Sequence, residues 1–256
     1  MITIRRTELD TQSQKLHDAD YKTVFNLENS RKRIAEYDAI DLFSANGFKS
    51  AVERSSPTIN THIDIGCGTG WLILKTSPYF KKVIGIDPSE NGTKVARELT
   101  KGLPNVEFIV RDMIEGVTSL NLKEPVFITT AVVLSHIKDF HVAEFLKTLN
   151  SIPHGSALYF DEPYDTNIQQ NMWHVRSREW WANNLQEWEL SFEAKPGIYP
   201  HGIYGKKVGK ENRKNTYAMS LGEHVIWFFA GISNKIKRLG RGIRRLFIKK
   251  SNENVR

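Results

Sequence analysis

Apolar positions along this chain fall into two alternating patterns. Short runs rich in Ile, Val, Phe and Thr occupy 61–65, 82–87, 105–110, 125–130 and 155–160. Runs of that length and composition, set between turn-forming or charged residues, predict buried strands. Between them lie segments with helical spacing. One spans 71–77 and stops at Pro78; a second spans 90–101, with Ser89 placed to cap it and Gly102 and Pro104 to close it; a third spans 141–149. Strand followed repeatedly by helix predicts a parallel sheet wound on both faces. Upstream, Ile34, Tyr37, Ile40, Leu42 and Phe43 form one apolar stripe, which predicts a helix over 30–47 ended by Asn46-Gly47. Downstream, 167–184 reads as a polar, aromatic-rich helical stretch. The segments 187–192 and 202–208 read as a closing antiparallel pair. In the tail, Val225, Phe229, Ile232, Ile236, Leu239, Ile243 and Leu246 advance by steps of four and three, one stripe of an amphipathic helix. The expected organisation is a helical lead-in or cap over 1–57, an α/β domain over 58–210 and an amphipathic tail over 211–256.

The chain breaks most sharply after the first predicted strand, at Asp64-Ile65-Gly66-Cys67-Gly68-Thr69-Gly70. Strand, glycine-rich turn and helix in that order grip nucleotide-like ligands, because glycines allow tight backbone geometry and close approach. The spacing is not G-x-G-x-x-G, and a carboxylate stands at the strand end. Asp64 would repel a pyrophosphate but suits a ligand carrying an ammonium group. About twenty residues further on, Asp87 ends the second strand, where an acid accepts hydrogen bonds from ribose hydroxyls.

These residues resemble motif I of the class I S-adenosylmethionine (SAM)-dependent methyltransferases, and the resemblance runs in order through 58–210. It implies an α/β, doubly wound, seven-stranded, mostly parallel sheet with SAM as cofactor. By that resemblance the SAM tail lies over Gly66, Cys67, Gly68 and Gly70, with Asp64 at its amino-acid end. Asp87, followed by Pro88, holds the ribose. Asp112 meets the adenine amino group, Met113 packs on its ring, and Ala131, in a segment resembling motif IV, lines the cofactor. Thr129-Thr130-Ala131-Val132 stands where amine and DNA methylators carry an Asn/Asp-Pro-Pro-Tyr motif, so nucleobase N-methylation is not expected.

The acceptor crevice of such a sheet lies beyond the strands' carboxyl ends, which 131–139 and 161–182 reach. In the second segment aromatic residues alternate with polar ones. Tyr164, Trp173, Arg176 and Arg178 suit a saccharide or another polar ring, with Arg offering bidentate contacts. A hydroxyl acceptor needs a base, and histidine is the natural one near neutral pH. His174 is the first candidate. Glu162 or Asp161 is the alternative or the orienting partner, and His136 the third candidate. A histidine on a helix surface and tryptophans in a core fit the same letters. No two histidines show metal-ligand spacing with a carboxylate or cysteine, so no metal is expected.

Charge adds one feature. Residues 211–256 hold eleven Lys/Arg against three acids, a net +8, which leaves −1 for 1–210 out of the total of +7. A near-neutral body argues against a nucleic-acid channel through it. A basic amphipathic segment over 224–250, with no acid within it, is the pattern of in-plane attachment to an anionic membrane surface. The longest apolar run there, 225–232, is too short to span a bilayer. The N-terminus shows no apolar leader core and Cys67 is the lone cysteine, so a cytoplasmic protein, peripheral on the inner face of a membrane, is expected. Cys67 reads as a small residue in the turn. Within the family the nearest resemblance is to small-molecule and glycan O-methyltransferases, including those of bacterial surface-polysaccharide synthesis. An RNA methyltransferase with an electrostatic arm and a SAM-binding protein without chemistry are the rivals.

Overall fold

The computed structural model describes residues 26–165, 174–193 and 201–212. Seven strands form one sheet: β1 (Thr61–Ile65), β2 (Lys82–Asp87), β3 (Val106–Val110), β4 (Val126–Ala131), β5 (Ala157–Pro163), β6 (Trp188–Phe192) and β7 (His201–Lys207), in the order β3-β2-β1-β4-β5-β7-β6. The five strands from β3 to β5 run parallel, whereas β7 is antiparallel to both β5 and β6. The chain winds outward from β1 to β3 and then returns to β4 beside β1. That reversal opens a crevice at the carboxyl ends of β1 and β4.

The helices that cover the sheet are α1 (Leu27–Ala39), α2 (Leu42–Ala45), α3 (Phe48–Ser55), α4 (Trp71–Thr76), α5 (Glu90–Leu99), α6 (Met113–Ser119), α7 (Asp139–Leu149) and α8 (Arg178–Asn184). Alternation along the strands divides the core in two. Ile63, Ile65, Ile128, Leu158 and Phe160 pack against Val117, Val142, Phe145, Leu146, Trp181 and Trp188. On the opposite face Val83, Phe127, Ala157 and Tyr159 pack against Phe48, Ala51, Val52, Leu72 and Ile73 from α3 and α4. Residues opposite one another in register share a face. Asp64 is paired with Thr129, Thr129 with Tyr159, and Ala131 with Asp161, so all five lie on the face of α3 and α4. Glu162, one residue on, points to the other.

Three expectations change. The single helix over 30–47 is interrupted at Ile40-Asp41: Asp41 adopts φ 44 and its carboxylate accepts a bond from Ser44 N to start α2, which leaves Ile40 65% exposed rather than on a buried stripe. Gly47, at φ 80, then opens α3, which with α6 is too short to show a helical period in sequence. β5 continues three residues beyond the predicted end, so Asp161 and Glu162 are strand residues. Of the stretch 167–184, α8 accounts for 178–184, while 166–173 lies outside the described residues, as do 1–25 and the tail from 213 onward, including 224–250. No described helix is long and apolar enough to cross a membrane.

Candidate functional site

The glycine turn is built from positive φ angles: 68° at Gly66, 50° at Gly68 and 81° at Gly70. Gly66 N and Cys67 N both donate to Ile86 O, at 2.7 and 3.2 Å, which ties the turn to the end of β2. A Cβ on Gly66 would lie 2.5 Å from a Val133 methyl, and one on Gly70 would lie 3.2 Å from Ala96 Cβ. Over Gly68 a Cβ would meet nothing within 4 Å. The middle glycine therefore borders open space and the outer two are packing positions. Cys67 is buried against Gly85, and burial with Asp87 and Asp64 nearby raises its thiol well above the usual range. It is a neutral packing group.

Asp87 is buried at the end of β2. One carboxylate oxygen accepts from Gly68 N and the other from Ser89 N, both at 2.8 Å. It fixes the turn and the cap of α5 together. Pro88 beside it is exposed. Asp64 is also buried. Its Oδ1 accepts from Thr129 Oγ1 at 2.8 Å, and that hydroxyl lies 2.8 Å from His62 Nε2. The His62 ring packs against both Phe80 and Phe127, which stack on each other, and burial lowers its pKa to about 3, so it is neutral. Burial raises Asp64 to about 7; the Thr129 bond opposes the shift and Asp87 adds to it. A cation arriving beside Asp64 would complete an arrangement that is now short of positive charge.

Asp112 follows β3 and is exposed. Its Oδ1 accepts from Ile114 N at 2.8 Å and Glu115 N at 2.9 Å, capping α6. Met113 is half-buried against the core. Ala131 ends β4, and Val132 after it adopts φ 56 and donates its N–H to Asp161 O at 3.0 Å. Three acids at successive strand ends, an open middle glycine and a small residue at the end of β4 thus suit an ammonium, a ribose, an amino-bearing ring and a methyl group in turn.

The acceptor side differs from expectation. Glu162 is 1% exposed, and its two oxygens accept from Thr130 Oγ1 (3.1 Å), Val133 N (2.7 Å), Leu134 N (2.8 Å) and Ser135 N (2.9 Å). Burial raises its pKa while the three backbone bonds oppose that. With four donors directed at it, this carboxylate holds the loop after β4. Arg176 is buried and spent on the same loop from outside. Its guanidinium donates to Leu134 O (2.8 Å), His174 O (3.2 Å) and Ile137 O (2.5 Å), and pairs with Asp139 at 3.0 Å. Burial lowers its pKa. Arg178 pairs with Asp165 at 2.7 Å and lies over the ring of Tyr164, which is wholly buried. Arg176 and Arg178, expected as substrate contacts, make internal contacts here, and Tyr164, expected as a third, is buried beneath Arg178. Trp173 lies outside the described residues. His136, on a 3-10 turn (Leu134–His136), and His174 are exposed, on segments joined by a bond from His174 N to Ser135 O at 2.7 Å.

One constellation was not anticipated in full. His201 Nδ1 is hydrogen-bonded to Asp161 Oδ1, and both side chains are buried. Asp161 Oδ2 accepts from Asn46 Nδ2 at 2.7 Å, and Asn46 O accepts from Tyr159 OH at 2.6 Å. Asp161 was a candidate from sequence; His201 was not. Its only sequence signal is a histidine between Pro200 and Gly202 at the start of a strand antiparallel to β5, which returns it to the crevice end.

Comparison with known proteins agrees with this geometry. Residues 63–152, which run from within β1 through β4 and α7, match the model of a methyltransferase domain family. A probable S-adenosylmethionine-dependent methyltransferase of Saccharomyces cerevisiae, CRG1, is 53% identical over 38 residues, 15% of this chain and 13% of that protein. The match thus spans a small fraction of that relative's length. Among solved structures, the magnesium protoporphyrin IX methyltransferase of Synechocystis with bound SAM superimposes with a TM-score of 0.56 at 14% identity, covering 80% of this chain and 100% of that one. A SAM-dependent methyltransferase from Clostridium acetobutylicum gives 0.53 at 15% identity, with 72% and 100% covered. The N-methyltransferase NodS of Bradyrhizobium japonicum gives 0.52 at 15%, with 65% and 97% covered. The fold is that of the class I, Rossmann-like methyltransferases.

Proposed function

We propose that this chain is a SAM-dependent methyltransferase that places the methyl group on a hydroxyl oxygen of a polar acceptor, a saccharide or lipid-linked glycan intermediate. The methyltransferase-domain match and the acids around the glycine turn support SAM as cofactor. SAM brings an activated methyl, so the protein's task is alignment and, for a hydroxyl, removal of a proton. The observation that carries the oxygen reading is the imidazole at the acceptor end. His136 and His174 stand on the loop after β4 and the segment bonded to it, and His201 lies on Asp161, directly across from Ala131. Methyl-labelled SAM and a panel of glycans and small hydroxyl and amine acceptors test the reading. Label on oxygen, located by mass spectrometry and NMR of the product, is the expected result; label on nitrogen overturns it.

The basic stripe over 224–250 supports attachment to the inner face of an anionic membrane, where a lipid-linked acceptor would be presented. Each basic residue near such a surface adds about 1 kcal/mol, screened by salt. Full-length protein should float with vesicles containing anionic lipid at low salt. A full-length variant with Arg238, Arg241, Arg244 and Arg245 changed to Gln should not. Equal flotation of the two removes the membrane from the reading.

A further inference from the structure

We propose that Asp161 and His201 form the proton-accepting pair of the methyl transfer, with Asn46 as the residue that positions Asp161; this rests on the hydroxyl-acceptor reading above. Placement comes first. Asp161 is the register partner of Ala131 and shares the sheet face of Asp64 and Thr129, the face on which the cofactor acids lie. His201 opens β7 opposite Pro163, at the carboxyl end of β5. The pair therefore stands at the carboxyl-end side of the sheet, one strand from the end of β4, with Nε2 itself buried. Glu162 points to the other face and is already answered by four donors.

The chemistry follows from the hydrogen bonds. An ionised carboxylate only accepts, so the proton of the His201–Asp161 bond belongs to Nδ1, and Nε2 is the ring nitrogen with the lone pair. Asp161 is held on both oxygens, by His201 and by Asn46, and so fixes the tautomer and the ring's orientation together. Asn46 is itself held by the Tyr159 hydroxyl. Backbone packs tightly around that hydroxyl. Gly202 is at φ 100, and a Cβ there would come 2.7 Å from Tyr159 Oη; a Cβ on Gly47 would overlap the same oxygen. Among the described residues, the titratable groups near the pair include Glu162, which the charge of Asp161 affects, Glu193, which pairs with Arg54 at 2.6 Å, and Tyr159, whose phenol is kept protonated, mainly by burial. Three elements, the end of α2, β5 and β7, thus converge to hold one imidazole.

In the step itself, an oxygen lone pair of the acceptor forms the new C–O bond to the methyl carbon as the S–CH3 bond breaks. The electron pair of that bond stays on sulfur, giving neutral S-adenosylhomocysteine. The hydroxyl proton passes to His201 Nε2, and Asp161 stabilises the imidazolium until its proton leaves to solvent. No further reagent is needed.

The test uses full-length His201→Gln and Asp161→Asn, with folding checked by S-adenosylhomocysteine affinity within about two-fold of wild type. His201→Gln should lower kcat by about 10²–10⁴ with the KM for SAM unchanged. It should also abolish the rising limb of the wild-type pH–rate profile. A second measurement needs no acceptor. In the S-adenosylhomocysteine complex, ¹⁵N-histidine spectra should show His201 protonated at Nδ1 and not at Nε2, and Asp161→Asn should change that tautomer. Wild-type kcat and pH profile in His201→Gln, or a proton on Nε2 in the wild type, overturns the pair. Transfer to a hydroxyl that His201→Gln leaves untouched sinks the pair alone. Transfer to an amine that His201→Gln abolishes sinks the hydroxyl reading and keeps the pair.

Discussion

At the cofactor end of the crevice, each residue that matters stands at or just beyond the end of its own strand. Asp64 lies in β1, Asp87 closes β2 and Asp112 follows β3, and the turn they surround is continuous with β1. At the acceptor end the parts come from far apart: 115 residues separate Asn46 from Asp161, and 40 separate Asp161 from His201. The first site is assembled by local backbone geometry, with glycines supplying the left-handed angles. The second exists only when the N-terminal helices and the antiparallel strand β7 close on β5. The same contrast recurs in miniature on β5, where Asp161 and Glu162 are neighbours on opposite faces. One positions an imidazole, and the other is saturated by a loop.

Breaking that miniature gives the largest expected effect. Glu162→Ala strips an acceptor from three backbone N–H groups and a threonine hydroxyl. A buried donor left unanswered costs roughly 1–3 kcal/mol, and neighbouring losses do not simply add. Urea unfolding of the full chain should show a loss of about 4 kcal/mol. Asp161→Asn keeps shape and one acceptor oxygen, its NH2 being met by the other His201 tautomer, and should lose less than half as much. Equal losses would erase the distinction between a structural and a chemical carboxylate.

The cofactor end should respond to pH. Burial pushes Asp64 up to about 7 in the fold, against an ordinary carboxylate value of 3.8. Between those values the folded chain binds more protons than the unfolded one, so this group's contribution to stability is full below about pH 4 and falls as pH rises toward 7. The decline amounts to about 4 kcal/mol and should vanish in Asp64→Asn. A ligand ammonium beside Asp64 favours the carboxylate, so S-adenosylhomocysteine should release a proton on binding at neutral pH. Calorimetry in two buffers of different ionisation heat reads that proton directly. Identical heats in both buffers would place the ammonium elsewhere.

The two ends also differ in how much sequence disclosed. The strands, the glycine turn and the acids at the ends of β1 and β2 were legible because a strand end, a turn and its cap are contiguous and obey local rules. Arg176 and Arg178, expected as substrate contacts, bond within the fold, and an arginine among aromatic residues looks alike in sequence whether it meets a ligand or a carbonyl. Carbonyls of Leu134 and Ile137, some forty residues earlier, decided the matter for Arg176. His201 was missed for the same reason: its meaning comes from β7 running antiparallel to β5. The break at Asp41 escaped notice because an apolar stripe can continue across two helices that share a face.

A smaller effect is expected at Asp87. Asp87→Ala removes the acceptor for Gly68 N and Ser89 N together with a charge-assisted bond to the ribose. Such a bond contributes roughly 1.5–3 kcal/mol, so S-adenosylhomocysteine affinity should fall about ten-fold or more. His201→Gln, at the other end, should leave that affinity in place. Unchanged affinity in folded Asp87→Ala would mean that the ribose lies elsewhere and that this acid serves only the turn.

The smallest effect tests why the two ends use different residues for the same backbone region. Gly66, Gly68 and Gly70 take positive φ without strain, whereas Val132, next to Ala131, takes φ 56 with a β-branched side chain. That conformation costs an L-residue roughly 1–2 kcal/mol. Glycine would relieve it but lose roughly 0.5–1 kcal/mol through added freedom in the unfolded chain. Val132→Gly should therefore change global stability by no more than about 1 kcal/mol, in the stabilising direction. Valine's stiffness is then of use to the loop, whose next three N–H groups all point at Glu162. Hydrogen exchange at Val133, Leu134 and Ser135 should quicken in Val132→Gly while exchange in β1 stays unchanged. Slower exchange at those three amides would show that the strain opposes the loop's geometry, and that the acceptor end would be better built with glycine, as the cofactor end is.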